Sequence, residues 1–408
     1  MPLGLAIGPT SMKCGKARAA PLVFKGVDVA ATRTPVTAKL FYFLRTVVKT
    51  AAHLIGLLGG LFVSGGARAV DLPADRAESM VHLFSGGGVT AGGPALLVRK
   101  TLADRVSLSG SYYLDAVSNA SIDVVTQASR FKETRHAFEF GVDYVVRDTL
   151  ITLGVARSDE PDYIARNASI DIAQEVFGGM TTVSLGFSRG ADDVSKTNAP
   201  EFNDKADHWQ YRLGLTQILS PRWLASINAE ALSDSGFLAN PYRAARVFGA
   251  SVPERHPRTR TGRAVKLRTI GELGSADAIR AEYRYYWDTW DVRAHTAELG
   301  YARHLGPIWL AEGTLRFHNQ SHALFYSDNA TTETTFVSRS KQLSSFSSYA
   351  VGGKLSYRLK RVPGKYEINA SGSYEWMQFN YRDFTDVRTG KRYSFGANVL
   401  QLMVSANF

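Results

Sequence analysis

The chain has very little cysteine, and its single cysteine, Cys14, lies close to the N-terminus. Beyond it, no disulfide framework and no cysteine-based metal site can form. The sequence also lacks the HExxH, P-loop and strand-linked GxGxxG motifs that carry metal-dependent hydrolysis or phosphate binding. After residue 69 no apolar run approaches the roughly 20 residues that a membrane-spanning helix needs. No catalytic residue, cofactor or metal ligand is therefore assigned, and a helical membrane protein is excluded.

The positive net charge is concentrated at one end of the chain. The formal charge is +11, and residues 1–69 carry +8 of it, from nine basic residues and one acidic residue. The remaining residues carry about +3 and contain no basic run. Nucleic-acid binding depends on a clustered basic surface, so nucleic acid is not predicted as a partner.

The N-terminal region is typical of an export signal. Arg45 and Lys49 precede an apolar stretch at residues 54–63, and an Ala-Arg-Ala sequence ends at Ala69. A basic flank, a short apolar core and a small-x-small site are what signal peptidase recognises. The alternative is a single membrane anchor over residues 40–63, although Arg45, Lys49 and His53 interrupt that stretch.

We therefore predict two regions. Residues 1–69 form an N-terminal extension and signal peptide, with cleavage after Ala69. Residues 70–408 form one domain, and the mature chain has no thiol.

The body of the chain consists of segments of about ten residues in which apolar and polar side chains alternate. In residues 105–115 (RVSLSGSYYLD), Val106, Leu108 and Leu114 share one face, while serines and Asp115 occupy the other. The pattern recurs at residues 136–146, 208–216, 279–288, 309–318, 349–359 and 366–375. Alternation predicts strands with one apolar side. It fits both a soluble sandwich with that side buried and a membrane barrel with that side in lipid.

The connections between these segments favour the barrel. Tight turns are predicted near residues 102–105, 147–148, 177–180, 219–222, 274–277, 305–307 and 362–365. They mostly alternate with longer polar stretches at residues 118–132, 190–206, 233–263, 319–345 and 382–393. Short periplasmic turns and longer extracellular loops are characteristic of outer-membrane barrels.

Aromatic residues and the C-terminus support the same fold. Five tryptophans lie near predicted strand ends, as in the aromatic girdles of barrels: Trp209, Trp223, Trp287, Trp309 and Trp376. Residues 400–408 alternate and end on Phe408, which resembles the signal for the barrel-assembly machinery. We predict an all-β, transmembrane, antiparallel up-and-down barrel of about 16 strands in the bacterial outer membrane. Its expected partners are that machinery, outer-membrane lipid and lipopolysaccharide.

Part of the chain resembles a known family. Residues 90–100 (TAGGPALLVRK), 106–129 (VSLSGSYYLDAVSNASIDVVTQAS), 158–163 (SDEPDY) and 181–193 (TTVSLGFSRGADD) are similar to the DUF3570 proteins of Gram-negative bacteria. The rest of the chain follows the family more loosely. The resemblance implies an outer-membrane barrel and transfers no catalytic or ligand residue.

Charged residues on the polar faces are candidates for lining the lumen. They are Arg212, Arg268, Arg280, Arg284, Arg316, Lys354, Arg358, Glu139, Asp143, Glu282, Glu312 and Glu375, and Lys266, Glu272 and Glu298 share their pattern. Rings of charge set the selectivity of pores. The same residues can instead pair across strands and pack a narrow or closed lumen. Two acidic groups, residues 159–162 and 192–193, are predicted in outer loops, where they either bind Ca²⁺ or Mg²⁺ or remain solvated.

Three functions follow from this reading. The first is a porin-like channel or transporter for small polar solutes. The second is a closed barrel that acts as a structural or interaction platform through its outer loops, notably residues 233–263. An outer-membrane hydrolase is the least favoured, and the chain is expected not to be an enzyme.

Overall fold

The computed structural model describes residues 70–119, 131–197 and 199–408, and these are nearly all strand. The predicted signal peptide and the cleavage point after Ala69 lie outside the described residues and stay a prediction. In the described part of the chain, no helix is long and apolar enough to cross a membrane.

Sixteen strands form one closed antiparallel barrel, which confirms the predicted fold class. They are β1 (Arg76–Gly86), β2 (Val89–Ala103), β3 (Val106–Asn119), β4 (Phe131–Val146), β5 (Thr149–Glu160), β6 (Tyr163–Val176), β7 (Thr181–Ser195), β8 (Asn203–Ser220), β9 (Trp223–Gly236), β12 (Thr259–Glu272), β13 (Asp277–Asp288), β14 (Arg293–Leu305), β15 (Trp309–Gln320), β16 (Phe346–Val362), β17 (Tyr366–Thr385) and β18 (Arg392–Asn407). Pairing of β1 with β18, with Val81 opposite Leu402, closes the barrel. A hairpin of β10 (Ala244–Val247) and β11 (Ala250–Pro253) and a 3-10 helix (Lys341–Leu343) lie outside the barrel sheet.

Apolar side chains cover the outer surface of the barrel. In β8, Leu213 and Leu215 are about half exposed, whereas Gln210 and Arg212, which precede them, point to the other face. Most other strands also carry exposed apolar side chains at outward positions, whereas outward Ile170, Ile172 and Phe187 on β6 and β7 are buried. The five predicted girdle tryptophans all occupy outward positions. Large apolar side chains exposed on the convex face are what lipid contact requires.

The connections follow the predicted asymmetry. All seven predicted tight turns join consecutive strands at one end of the barrel, which we call the turn end; the opposite end is the loop end. Strand β1 begins and strand β18 ends at the turn end. At the other end, β9 and β12 are joined through residues 237–258, and β15 and β16 through residues 321–345. The turn between β1 and β2 is short, and Gly87 and Gly88 adopt φ angles of 59° and 80° there, which glycine tolerates without strain.

Several predicted loop boundaries are wrong because the strands extend further than composition suggests. β9 continues to Gly236 and β12 starts at Thr259, so residues 233–263 are only partly loop. Asp192 and Asp193 belong to β7 and are buried, where Asp193 accepts a 2.8 Å hydrogen bond from Arg166. Ladder pairing with β8 continues through this polar stretch, because polar side chains do not interrupt backbone pairing.

Candidate functional site in the lumen

The concave face of the sheet collects the charged side chains. All twelve charged residues predicted to line the lumen occupy inward positions in the strand register. Their partners are other inward side chains, often on a strand two places away. Ion pairs that skip a strand form on a concave surface, where side chains converge.

The centre of the largest charged group is Glu282 on β13. Its carboxylate lies 2.7 Å from Lys266 Nζ, 3.1 Å from Arg268 Nε and 3.6 Å from Arg280 Nε. Three cations therefore share one carboxylate. Arg280 is bound on its other side by Glu298 of β14.

The group continues on both sides of β13. Arg284 lies 3.1 Å from Glu230 of β9, and Arg316 of β15 lies 2.6 Å from Glu375 of β17. We call the nine residues the charged ladder: Lys266, Arg268, Arg280, Arg284, Arg316, Glu230, Glu282, Glu298 and Glu375. Five are cationic and four are acidic, so the ladder has a small positive excess.

Other predicted residues lie in separate ion pairs. Lys354 lies 3.2 Å from Glu312, and Arg358 lies 3.5 Å from Glu367. Asp143 lies 3.5 Å from Arg99 and accepts a 2.7 Å hydrogen bond from Thr152. The twelve residues therefore do not form one continuous ring.

Glycines in the strands make room for pairs that skip a strand. Arg212 of β8 donates to both carboxylate oxygens of Asp171 on β6, at 2.8 and 2.9 Å, and Gly186 of β7 lies between them. A Cβ at Gly186 would come within 2.2 Å of the Asp171 carboxylate and 2.6 Å of Arg212 Nε. Asp171 and Glu230 were not among the residues predicted to line the lumen. The alternation of Asp171 with outward Ile170 and Ile172 is the signal that points to it.

A second part of the lumen surface is aromatic. Phe346, Phe379 and Phe395, on β16, β17 and β18, occupy inward positions and are half-buried. We call these three rings the aromatic wall. The rings of Phe379 and Phe395 are stacked with centroids 4.7 Å apart, and Phe346 lies 6.2 Å from Phe379. Sequence reading did not single them out, because aromatics are common on both faces of strands.

Two long loops pair with each other at the open end of the barrel. We call residues 237–258 and 321–345 together the loop cap. Arg255 and Val337 exchange two backbone hydrogen bonds of 2.9 Å, and Glu254 accepts from the Ser338 hydroxyl at 3.0 Å and the Arg339 backbone N–H at 2.8 Å. The two loops therefore form one joined structure.

The loop cap reaches into the barrel mouth. Leu343 is buried against Trp290 and Val292, and inward-facing Tyr286 packs against the same cluster. Gln320, the last residue of β15, donates 2.9 Å hydrogen bonds to the carbonyls of residues 342 and 344. The cap thus covers part of the lumen entrance.

Charged groups hold the cap together. Burial alone would raise the pKa of Glu254, but His256 and Arg243 together with the backbone donor of Arg339 hold the pKa of that carboxyl below its ordinary value. Burial, with a hydrogen bond to Asp162, raises the pKa of Tyr242. Glu254 is therefore an ion within the cap.

Two histidines in the lumen wall are bound to carboxylates. His208 lies between Asp192 and Asp234, with nitrogen–oxygen distances of 2.9 and 2.8 Å, and His82 lies 2.6 Å from Asp115. Carboxylates on both ring nitrogens hold an imidazole in place. Within the described ranges, no group of three or more His, Cys, Asp or Glu side chains is arranged to hold a metal ion.

The chain matches one protein family and is distantly similar to several solved structures. The family model described as "Protein of unknown function (DUF3570)" matches residues 76–380, more than half of the chain. No curated protein matches the sequence.

Several solved outer-membrane barrels have a similar fold. The siderophore receptor PirA from Pseudomonas aeruginosa has a TM-score of 0.42 at 11% identity, over 77% of this chain and 60% of that one. A bacterial polysaccharide outer membrane secretin has a TM-score of 0.48 at 8% identity, over 81% of this chain and 98% of that one. OmpT, an outer membrane protein of Vibrio cholerae, has a TM-score of 0.43 at 8% identity, over 84% of this chain and 100% of that one. This chain spans about 60% of the length of PirA. These distant likenesses concern the barrel architecture alone.

Proposed function

The chain belongs to the DUF3570 family, and we propose that it is an outer-membrane channel or transporter for small polar solutes. The charged ladder on the lumen wall is the observation that carries this proposal. No catalytic step is assigned to the barrel.

The ladder residues keep contact with accessible space inside the barrel. The side chains of Arg268, Arg284 and Arg316 are 33%, 32% and 30% exposed although they point to the concave face. A lumen filled by side chains would leave such long cations with little accessible surface. Partly exposed charges on a lumen wall can exchange their carboxylate contacts for contacts with a passing solute.

The outer-membrane location is part of the proposal. An apolar convex surface matches lipid, and a signal peptide within residues 1–69 would direct export. The C-terminal strand is available for recognition by the barrel-assembly machinery, since Phe408 is 46% exposed at the turn end. Lipopolysaccharide would surround the loop end.

Single-channel conductance tests the channel directly. The protein would be purified from outer membranes after expression of the full chain, checked for heat-modifiable gel mobility and inserted in a planar bilayer. We expect stable, ion-selective conductance steps. A folded barrel that inserts and never conducts would overturn the channel.

The second candidate is an interaction platform, and the loop cap favours it. The cap carries apolar side chains that face outward, with Phe248 71% and Leu324 73% exposed. Its core is joined by backbone pairing, so it presents a preformed surface. Replacing residues 240–256 by a short Gly-Ser linker would leave β9 and β12 intact. If the barrel is an interaction platform, this deletion should abolish partner binding although the barrel still folds. A channel function does not require that result.

A further inference from the structure

The aromatic wall and the charged ladder meet at one place in the lumen. On β17 the successive inward positions are Glu375, Met377 and Phe379. Neighbouring inward positions on a strand are about 7 Å apart. Glu375 ends the ladder and Phe379 begins the aromatic wall, and Met377 lies between them, buried in an apolar cluster against which Phe379 and Phe395 pack.

Arg316 lies directly at this boundary. Its Nη2 donates to Glu375 Oε1 at 2.6 Å and lies 3.7 Å from the sulfur of Met377. Within the described residues, both hydrogen bonds that Arg316 donates come from Nη2. Its Nε and Nη1 groups can therefore donate to a ligand. The side chain is 30% exposed, so those donors can reach a ligand.

The rings of the aromatic wall form an uneven apolar surface. Phe379 and Phe395 stack on each other at an interplanar angle of 13°, and Phe346 is tilted by 48° against Phe379. His318, the next inward residue after Arg316 on β15, has its ring 5.4 Å from that of Phe346. A planar apolar group can stack on this surface without losing hydrogen bonds.

We propose that the lumen binds a small organic anion with a planar ring, whose ring lies on the aromatic wall and whose anionic group is bound by Arg316. Arg316 contacts Met377, which is one inward position from Phe379, so a cationic donor and an apolar ring surface lie in the same part of the lumen. Nε and Nη1 of Arg316 can each donate a charge-assisted hydrogen bond to a carboxylate oxygen, so an aromatic carboxylate is the expected class. The positive excess of the charged ladder favours an anion over a cation. This inference builds on the proposed channel and names its solute class.

Equilibrium binding tests the site without relying on conductance. Isothermal titration calorimetry on the purified protein in detergent would compare benzoate with acetate and with benzylammonium. We expect saturable binding of benzoate, and at least about tenfold weaker binding of acetate, which lacks the ring, and of benzylammonium, which has the opposite charge. Equal or tighter binding of benzylammonium would overturn the proposal, because it would assign the site to organic cations through the rings.

Two variants separate the two parts of the site. Arg316→Gln should weaken benzoate binding about tenfold or more, the loss expected for a charge-assisted hydrogen bond. Phe379→Leu should weaken it by roughly two- to tenfold through loss of stacking. The matched controls are Arg303→Gln at the turn end and Phe317→Leu on the outer face, which lie away from the site. Benzoate affinity that is unchanged in Arg316→Gln would refute the site.

Conductance and binding together distinguish the two proposals. A protein that conducts but does not bind benzoate retains the channel and overturns the anion site. A protein that binds benzoate, loses that binding in Arg316→Gln and never conducts retains the site and overturns the channel.

Discussion

Arg212 reaches across β7 to Asp171 over the backbone of Gly186, at 2.8 and 2.9 Å. Neither partner is on the intervening strand, so the pair ties β6 to β8 from the lumen side. The missing side chain at Gly186 is what allows the contact, since a Cβ there would lie within 3 Å of both charged groups.

Replacing Gly186 with alanine should break this pair. We expect Gly186→Ala to lower the free energy of unfolding by about 1–3 kcal/mol, because the two charged groups lose a hydrogen-bonded partner in a partly buried site. Gly313→Ala is the matched control, since a Cβ at Gly313 meets nothing within 4 Å. It should change the unfolding free energy by less than about 0.5 kcal/mol. Urea unfolding in lipid vesicles, followed by tryptophan fluorescence, measures both. Equal costs for the two variants would contradict this account.

Ion selectivity should depend on Arg268. Arg268→Gln removes one of three cations around Glu282, while Lys266 and Arg280 still hold the carboxylate in place. The barrel should therefore fold normally, and the loss of one lumen cation should shift selectivity toward cations. The reversal potential in a salt gradient measures the shift. Arg303→Gln makes the same charge change outside the lumen and should leave the reversal potential unchanged.

The loop cap should loosen in acid. The pKa of Glu254 is held below its ordinary value, so its ionised form stabilises the cap at pH above the unfolded value of about 4.3. That stabilisation is lost as pH falls through the lowered folded value. Hydrogen exchange, measured by mass spectrometry at pH 7 and near pH 3 and corrected for intrinsic rates, should show faster opening of residues 237–258 and 321–345 in acid.

A neutral variant provides the control for this pH effect. Glu254→Gln keeps an oxygen acceptor for Ser338 and the Arg339 backbone N–H but carries no charge beside His256. Its cap should exchange faster than the native cap at pH 7 and differ less between the two pH values. If the cap of this variant still exchanges as much faster in acid as the native cap does, carboxylates other than Glu254 cause the pH dependence.

The outer apolar surface should be sensitive to charge at mid-strand. Leu213 lies in the middle of β8 and is 52% exposed on the convex face. Leu213→Arg should destabilise the folded barrel in lipid vesicles by about 2–4 kcal/mol, whereas Leu305→Arg at the end of β14 should cost about 0–1 kcal/mol. Denaturant titrations in vesicles compare them. Equal effects would show that the middle of β8 is not in the hydrocarbon layer.

The local sequence pattern was sufficient to predict the strands and the face of the sheet on which each side chain lies. Successive side chains on a strand point to opposite faces whatever the strand pairs with, so residues 208–216 could be read without a partner. The inward positions of Arg212 and Glu282 follow from this rule. The tight turns could also be predicted, because their polar and glycine-rich residues interrupt the alternation.

The ends of the strands and the contacts across the lumen could not be predicted from the local alternation of side chains. Asp192 and Asp193 were predicted in a loop because polar composition marks loops, yet β7 and β8 stay paired around them. The loops that form the cap are more than 60 residues apart in the chain, and a closed sheet brings them together. The pairing of Arg212 with Asp171, and the position of Arg316 beside the aromatic wall, depend on strand order, stagger and curvature. Those quantities arise when the sheet closes, since register between strands is a property of pairs of segments and not of either segment alone.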